Sequence, residues 1–249
     1  MRVYLDHLVH FVYEDLTLYT NKLMQSGLPV IRGGSHVKWG THNSLLYVNN
    51  NAYIEWIGVN DPKIARQAEN PLIQHLVKKE GCGGHLAQIA FRVERFEEFL
   101  KNIQEKEIPY QLVDGSRKRE DGTLMTWKML FLNTTTAGME PPFFIEWGRE
   151  DQERRQELQE QGWLNKDLEI PDVYFAVRDV DLVLKEWNKW YPIYQKVEWI
   201  KEEWKGKGVR LQFENAGIVL LEPTAVGMVS NAIEKYGEGP FHYELVKKE

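Results

Sequence analysis

The sequence predicts an α+β protein built from repeated βαβββ modules, whose strands form a curved, mostly antiparallel mixed sheet around a cavity, with the helices on the outer face. Three observations predict this class. A strand–helix–three-strand pattern occurs twice, the opening strands of the two copies match, and both closing strands contain Ile-Glu-Trp. Such self-similarity is the signature of a duplicated supersecondary unit.

The first copy occupies residues 1–60. Its opening segment, VYLDHLVHFV, is rich in β-branched and aromatic residues, as strands are. A helix follows, in which apolar residues recur at helical spacing from Leu16 to Leu23 before Gly27 ends it. Clusters of Gly or Asn separate the remaining strands. The predicted strands are 3–12, 29–37, 44–48 and 52–59.

The second copy occupies residues 85–150 and has the same order. HLAQIAFRV predicts the opening strand, and ERFEEFLKNIQEK predicts a helix whose apolar face includes Phe96, Phe99 and Ile103. In this alignment His7 corresponds to Gln88, and Glu55 corresponds to Glu146. The predicted strands are 85–93, 109–113, 123–132 and 143–147.

A third, degenerate module is predicted over 165–249, with a C-terminal extension that contains a helix over 225–235 and a strand over 241–246. Residues 1–150 are therefore expected to form one paired unit, and the third module is expected to form a second domain. Charged residues and glutamine dominate 150–162, which predicts a solvated, helical linker. The position that corresponds to His7 in this module is Asp172.

The composition excludes several classes of function. The chain of 249 residues carries a formal net charge of −6, whereas nucleic-acid binders usually carry a basic patch. No apolar stretch is long enough to predict a membrane span. A single cysteine excludes an internal disulfide framework. The sequence begins with a predicted strand, so no secretory signal is expected. These features predict a cytoplasmic protein whose partners are small molecules, with no nucleic acid and no membrane.

Strand parity predicts where the polar residues of the opening strands lie. Side chains alternate between the two faces of a strand, so His7 shares a face with Val9, and Gln88 shares one with Ala90 and Arg92. The opposite face of the second opening strand is purely apolar and is expected to lie under the helix. The face with His7 and Gln88 is therefore expected to line the cavity.

The two glutamates lie within strands that otherwise look buried, and a buried carboxylate is costly unless something pairs with it. If the four polar residues meet in the cavity, they offer one imidazole, one amide and two carboxylates. This donor set suits a divalent metal such as Zn, Ni, Co, Mn or Fe(II). The predicted metal ligands are His7, Glu55, Gln88 and Glu146.

The modules resemble those of the vicinal oxygen chelate superfamily. The segments that carry this resemblance are LDHLVHFV in the first strand, IEW in the last strand and HLAQIAFRV at the start of the second copy. That superfamily includes glyoxalase I, methylmalonyl-CoA epimerase, extradiol dioxygenases and metal-free antibiotic-binding proteins. The segment GGSHVKWGTHNSLLYV is similar to the glyoxalase-like subgroup, whose members often carry His-x-x-x-Gly-Thr-x-Asn. The residues of that motif here are His36, Gly40, Thr41 and Asn43.

The resemblance implies that ligands come from the first and last strand of each module, at the four positions above. The departure is Gln88, because many relatives have His there and a neutral amide binds a metal more weakly. Glu146 and Glu55 are the predicted catalytic carboxylates, with Glu146 preferred as the group that both ligates the metal and moves a proton. The predicted substrate-binding residues are Arg92, His36, His42, Asn43 and Trp127.

Two functions stay open at this point. The first is a metal-dependent lyase or isomerase that acts on a small oxygen-rich substrate chelated by the metal. A dioxygenase ranks lower, since it would normally use two histidines and one carboxylate, and only His7 is placed to contribute. The second is a metal-free protein that binds an aromatic or antibiotic-like molecule between aromatic walls. The third module is a candidate interface for a homodimer.

Overall fold

The architecture comes from a computed structural model, which describes residues 1–118, 122–134, 138–193 and 195–248. The order of elements confirms the α+β prediction, because the βαβββ unit appears in both predicted copies and again in the third.

The strands and helices are numbered in chain order. The strands are β1 (Val3–Phe11), β2 (Ile31–His36), β3 (Thr41–Tyr47), β4 (Tyr53–Val59), β5 (His85–Val93), β6 (Tyr110–Lys118), β7 (Leu124–Leu132), β8 (Phe143–Glu146), β9 (Leu168–Glu169), β10 (Asp172–Ala176), β11 (Lys196–Lys201), β12 (Gly206–Gln212), β13 (Gly217–Pro223), β14 (Gly239–Tyr243) and β15 (Val246–Lys247). The helices are α1 (Leu16–Gln25), α2 (Pro62–Gln67), α3 (Pro71–Lys78), α4 (Phe96–Glu105), α5 (Asp151–Glu160), α6 (Val180–Trp190) and α7 (Met228–Tyr236).

The first two modules close into one eight-stranded barrel with the order β1-β4-β3-β2-β6-β7-β8-β5. Within each module the first and last strands pair in parallel, and the other pairs are antiparallel. The modules join through β1 and β5 on one side and through β2 and β6 on the other. The predicted curved, mixed sheet is thus confirmed, and closure leaves it without an open edge.

The register between β1 and β5 relates the two modules by a local two-fold symmetry. Leu8 lies opposite Ile89, His7 lies opposite Ala90, and Val9 lies opposite Gln88. His7 and Gln88 are therefore equivalent positions, as the sequence alignment predicts.

The third module forms an open five-stranded sheet with the order β11-β12-β13-β10-β14. β10 pairs in parallel with β13 and antiparallel with β14, just as β1 pairs with β4 and β5. β14 thus takes the place of the opening strand of a further module. Helix α7 packs its buried residues against one face of this sheet. The apolar residues that it meets there are Tyr174, Val219 and Leu221.

One apolar core joins the outer face of the barrel to the third module. The ring of Phe91 on β5 stacks on Phe213 with centroids 4.7 Å apart, and Phe144 on β8 meets Trp190 of α6 at 5.3 Å. The predicted division into domains over 1–150 and 165–249 stays a prediction. These aromatic residues belong to one buried cluster that both sheets share.

Candidate functional site

The inside of the barrel contains a cavity whose wall is mostly aromatic and aliphatic, with a few polar side chains that converge in it. Strand parity is confirmed at this level. Val9 and Ala90 face inward with Met129, whereas Ile89 and Phe91 face the helices. The free volume is about 30 Å³, room for about one or two water molecules. The lining residues are His7, His36, Trp39, Asn43, Tyr53, Glu55, Ile57, Leu72, Ile73, Arg117, Trp127, Met129, Ile145 and Trp147.

Four polar side chains form a chain of contacts at this cavity. The Nδ1 atom of His7 lies 2.7 Å from Oδ1 of Asp6, and its Nε2 atom lies 3.6 Å from Oε2 of Glu55. The other carboxylate oxygen of Glu55 accepts a hydrogen bond of 2.5 Å from Nδ2 of Asn43. All four side chains are buried. The ring of His7 stacks on Tyr53 at 4.5 Å, so its plane is fixed as well.

Asp6 is ionised, which decides the tautomer of His7. Burial by itself would raise the pKa of Asp6, but Arg154, the hydrogen bond from His7 and Arg92 outweigh it and hold that pKa well below its usual range. Because an ionised carboxylate only accepts hydrogen bonds, Nδ1 of His7 carries a proton. Nε2 is then the nitrogen that faces Glu55 and the cavity.

Asp6 was not predicted from the sequence, because regular alternation would place it on the face opposite to His7. The register of β1 against β5 shifts between Leu5 and His7, which makes Asp6 the extra residue of a β-bulge. The bulge turns its carboxylate toward the cavity wall, where the indole of Trp147 donates a hydrogen bond of 3.2 Å to it. The available signal was an Asp beside a His in an apolar strand.

The His-x-x-x-Gly-Thr-x-Asn motif joins β2 to β3 across a tight turn. Nδ1 of His36 lies 3.0 Å from Oγ1 of Thr41, and Gly40 takes the left-handed conformation with φ of 62°. A Cβ on Gly40 would lie 2.5 Å from the carbonyl oxygen of Asp61, so glycine is required there. Two residues after Thr41, Asn43 reaches Glu55. The motif therefore positions two cavity side chains.

The model of the glyoxalase-like domain family matches residues 5–191, which is most of the chain. The chain belongs to the glyoxalase-like domain family. This confirms the resemblance to the vicinal oxygen chelate superfamily. No protein of curated function matches the sequence.

Several solved structures resemble this glyoxalase-like chain. A hypothetical protein from Staphylococcus aureus superposes with a TM-score of 0.73 at 19% identity, over 91% of this chain and 88% of the other. A variant of 4-hydroxymandelate synthase from Streptomyces coelicolor superposes with a TM-score of 0.62 at 11% identity, over 97% and 70%. Methylmalonyl-CoA epimerase from Mycobacterium tuberculosis matches at a TM-score of 0.41 and 19% identity, over 57% and 86%. For the first two structures, the likeness at these identities concerns the fold alone.

The predicted ligand Gln88 does not reach His7 in this glyoxalase-like barrel. Its amide donates to the carbonyl of Pro141 at 3.0 Å and accepts from the backbone of Ile89 at 2.9 Å. It lines a separate recess that also contains His75 and Phe131. His7 on β1 and Gln88 on β5 are diagonal neighbours, and such positions lie about 7–8 Å apart. Here their side chains point to different cavities.

Glu146 does not line the cavity either, so the structure does not bring it beside Glu55. Val9 pairs with Glu55, and the equivalent residue Ala90 pairs with Phe143. The structural counterpart of Glu55 is thus Phe143, whose ring meets that of His7 at 5.5 Å. Glu146 lies three residues further along and, beside the inward Ile145, on the opposite face of β8.

The predicted substrate-binding residues divide into two groups. His36, Asn43 and Trp127 line the cavity. His42 lies on the outer side of β3, in a cleft with residues of α1. Arg92 does not line this cavity, and its guanidinium is held in ion pairs with Asp6 and Asp151, each at 2.8 Å.

The predicted four-ligand metal centre is not assembled. Two of its members, His7 and Glu55, face each other, and the other two lie elsewhere. Across the part of the chain that the structure describes, no group of three or more His, Cys, Asp or Glu side chains is arranged to hold a metal ion. Likewise, no helix among these residues is long and apolar enough to cross a membrane.

The cavity also contains Arg117, from the end of β6, which was not predicted as a site residue. It is buried, and its Nη1 atom lies 3.5 Å from Oδ1 of Asn43. Burial lowers the pKa of the neighbouring His36 to about 4, so this imidazole is neutral at pH 7. Sequence alternation contained the signal, because Arg117 shares the inward parity of Gly115, which lies opposite Trp127.

Proposed function

We propose that this protein is a lyase or isomerase that moves a proton on a small oxygenated substrate inside the barrel, with His7 and Glu55 as the acid–base pair. The observation that carries the proposal is the approach of Nε2 of His7 to Oε2 of Glu55 at 3.6 Å. The two atoms face each other across the cavity, and a substrate that lies between them can contact both. A buried imidazole that faces a carboxylate is an arrangement suited to general acid–base catalysis.

The proposed step starts with the proton on Nε2 of His7 and with Glu55 ionised. Glu55 removes a proton from the carbon next to a substrate carbonyl, and the electron pair of that C–H bond moves into an enolate. The Nε2–H group of His7 donates to the enolate oxygen, and Asp6 stabilises the imidazolium through Nδ1. For an α-hydroxyketone, Nε2–H protonates the enolate oxygen, the adjacent hydroxyl gives its proton to Nε2, and Glu55 returns its proton to the former carbonyl carbon, which gives the isomer.

The enclosed cavity supports this chemistry in two ways. Its apolar wall keeps water away from the pair, which strengthens the electrostatic interactions inside. Its small free volume, about 30 Å³, favours a small substrate.

The test measures exchange of the α-proton of small α-hydroxyketones in D₂O by ¹H NMR. The wild type should exchange the proton, and Glu55→Gln should lower the rate by about 10²–10⁴-fold, the usual contribution of a general base. Glutamine keeps an oxygen that accepts from Asn43. Glu146→Gln is the matched control, since it alters the other Ile-Glu-Trp sequence outside the cavity. Equal rates for wild type and Glu55→Gln would refute the assignment.

A divalent metal is the second candidate, favoured by one observation: Asp6 supports His7 as carboxylates support metal-bound histidines. His7 and Glu55 are two donors, whereas catalytic zinc sites have three protein ligands, so this set does not fit a metal held by the protein alone. No step is therefore assigned to one. Elemental analysis after loading with Ni, Zn, Mn or Fe(II) tests this. Near one metal per chain, lost in Glu55→Gln, would replace the acid–base proposal.

A metal-free binding protein is the remaining alternative, and the aromatic wall favours it. Trp127 meets Trp39 at 6.2 Å and Trp147 at 5.4 Å, so a ligand in the cavity would contact several indole rings. Quenching of tryptophan fluorescence by compounds that the wild type never exchanges or converts would support this alternative over catalysis.

A further inference from the structure

We infer that the cavity takes a small carboxylate, and that Arg117 binds the carboxylate group. The inference deepens the proposed function by naming the class of substrate. The part of it that concerns proton transfer by Glu55 rests on the proposed function. The part that concerns binding of the carboxylate rests on the surroundings of Arg117 alone.

The first step concerns the burial of the guanidinium group. Arg117 is 6% exposed, and its Nε atom has no hydrogen-bond partner among the described residues. Its contact to Oδ1 of Asn43 is long, at 3.5 Å. A buried cation whose donors are unsatisfied is costly, and an anion that accepts from it removes that cost. The planar fork of arginine suits the two oxygens of a carboxylate.

Asn43 keeps this cation available by separating it from Glu55. Its Nδ2 group donates to Glu55, and its Oδ1 atom faces Arg117, so the two ends of one amide face the two opposite charges. Without the amide between them, Glu55 and Arg117 would favour a direct ion pair that occupies both. The arrangement leaves the carboxylate free as a base and the guanidinium free as a binding group, one at each end of the amide.

The backbone of β2 is shaped to admit the same pair of side chains. A Cβ on Gly33 would lie 2.1 Å from Oδ1 of Asn43 and 3.0 Å from Nη1 of Arg117. A Cβ on Gly34, where φ is 127°, would lie 2.4 Å from the carbonyl oxygen of Lys118 and 3.3 Å from Cγ of Arg117. The Gly-Gly pair thus provides the space in which the guanidinium lies.

The charge of the wall also favours an anion with a neutral or apolar body. Among the described residues that line the cavity, Arg117 alone carries a permanent positive charge. The adjacent His36 is neutral at pH 7, and it meets Trp39 and Trp127 at ring distances of 5.8 Å. A carboxylate at Arg117 would therefore place the rest of a short molecule among aromatic rings and toward Glu55.

The test compares carboxylates with their uncharged amides as probes. Glycolate, lactate and 3-phenyllactate are titrated against the wild type, and glycolamide, lactamide and 3-phenyllactamide are titrated in parallel, with tryptophan fluorescence as the readout. The wild type should bind each acid at least about tenfold more tightly than its amide, as expected for a hydrogen bond to a charged group. Arg117→Gln should reduce that ratio to near one.

Three further variants complete the test. Gly33→Ala retains the charge but displaces the guanidinium, so it should also lower the ratio, whereas Gly81→Ala adds a Cβ in open space. Arg95→Gln removes a cation of which 58% is exposed, in a surface pair, and should leave the ratio unchanged. Gly33→Ala serves as the test if Arg117→Gln does not fold.

The outcomes distinguish this inference from the proposed function. Glu55→Gln should lose proton exchange but keep the preference for acids over amides. Proton exchange therefore tests the role of Glu55 as a base, and the acid–amide ratio tests the role of Arg117 as the carboxylate-binding group. If the wild type binds acid and amide equally, or binds neither, the inference is wrong. It is also wrong if Arg117→Gln keeps the wild-type ratio.

Discussion

Replacing Asp6 with Asn removes a buried negative charge that several groups share. Its carboxylate lies 2.8 Å from Arg92, 2.7 Å from His7 and 3.4 Å from Arg154, and it is fully buried. Asn keeps the shape and one oxygen acceptor, but it turns an NH₂ group toward cations. Arg92 is then left with Asp151 as its anionic partner, and the Asp151 carboxylate is 39% exposed.

The structure sets the size of the expected effect. Removing one partner of a buried ion pair costs about 3–5 kcal/mol, because the other charge stays buried and uncompensated. No discount for solvent screening applies to the Asp6–Arg92 pair, since the exposed fractions of the two side chains are 0% and 8%. For a chain of this size the same loss lowers the melting temperature by about 6–20 °C.

The pH dependence provides a second test with a defined sign. The pKa of Asp6 is depressed in the folded state, so its contribution is fully present above the unfolded pKa of about 3.9 and falls as the pH drops below that value. The stability difference between wild type and Asp6→Asn should therefore be constant from pH 5 to 8. It should shrink by about 1.4 kcal/mol per pH unit in more acidic solution.

Urea unfolding followed by tryptophan fluorescence measures both effects. Glu98→Gln is the control, because its partner Arg95 lies on the surface and such pairs contribute about 0–1 kcal/mol. A loss of less than about 1 kcal/mol for Asp6→Asn, or a difference that grows in acid, would refute the assignment of Asp6 as the ionised centre of this cluster.

Two other predictions follow from buried groups. Burial lowers the pKa of His10 and of His36 to about 4, so ¹H–¹⁵N spectra of the imidazoles should show both rings neutral at pH 6. Because these histidines bind protons at higher pH in the unfolded chain than in the folded one, the free energy of unfolding should fall between about pH 6.5 and pH 4. The fall should be less steep in His10→Phe. Phe213→Ala should cost about 3–5 kcal/mol, and calorimetry should still show one transition, because Phe213 packs on Phe91 in the core that both sheets share; two separate transitions would contradict the shared core.

Local pattern was enough to predict several features of the fold and the site. The alternation of apolar and polar residues predicted which face of β1 lines the cavity, because side chains along a strand must alternate. The repeat predicted the βαβββ order, since each copy carries its own turns and helix stripe. These rules pointed His7 and Glu55 toward the cavity, and the resemblance to the glyoxalase-like motif added His36 and Asn43. All four line the cavity, together with Trp127.

The remaining members of the site depend on register, which no local pattern encodes. The Ile-Glu-Trp sequences of β4 and β8 look equivalent, but β8 pairs with β5 so that Phe143 takes the place of Glu55, and a shift of three residues moves Glu146 to the other face. A single bulge brings Asp6 beside His7 against the rule of alternation. Arg117 enters the cavity because two strands from different modules meet there and the glycines of β2 leave room, a condition that only the closed barrel imposes.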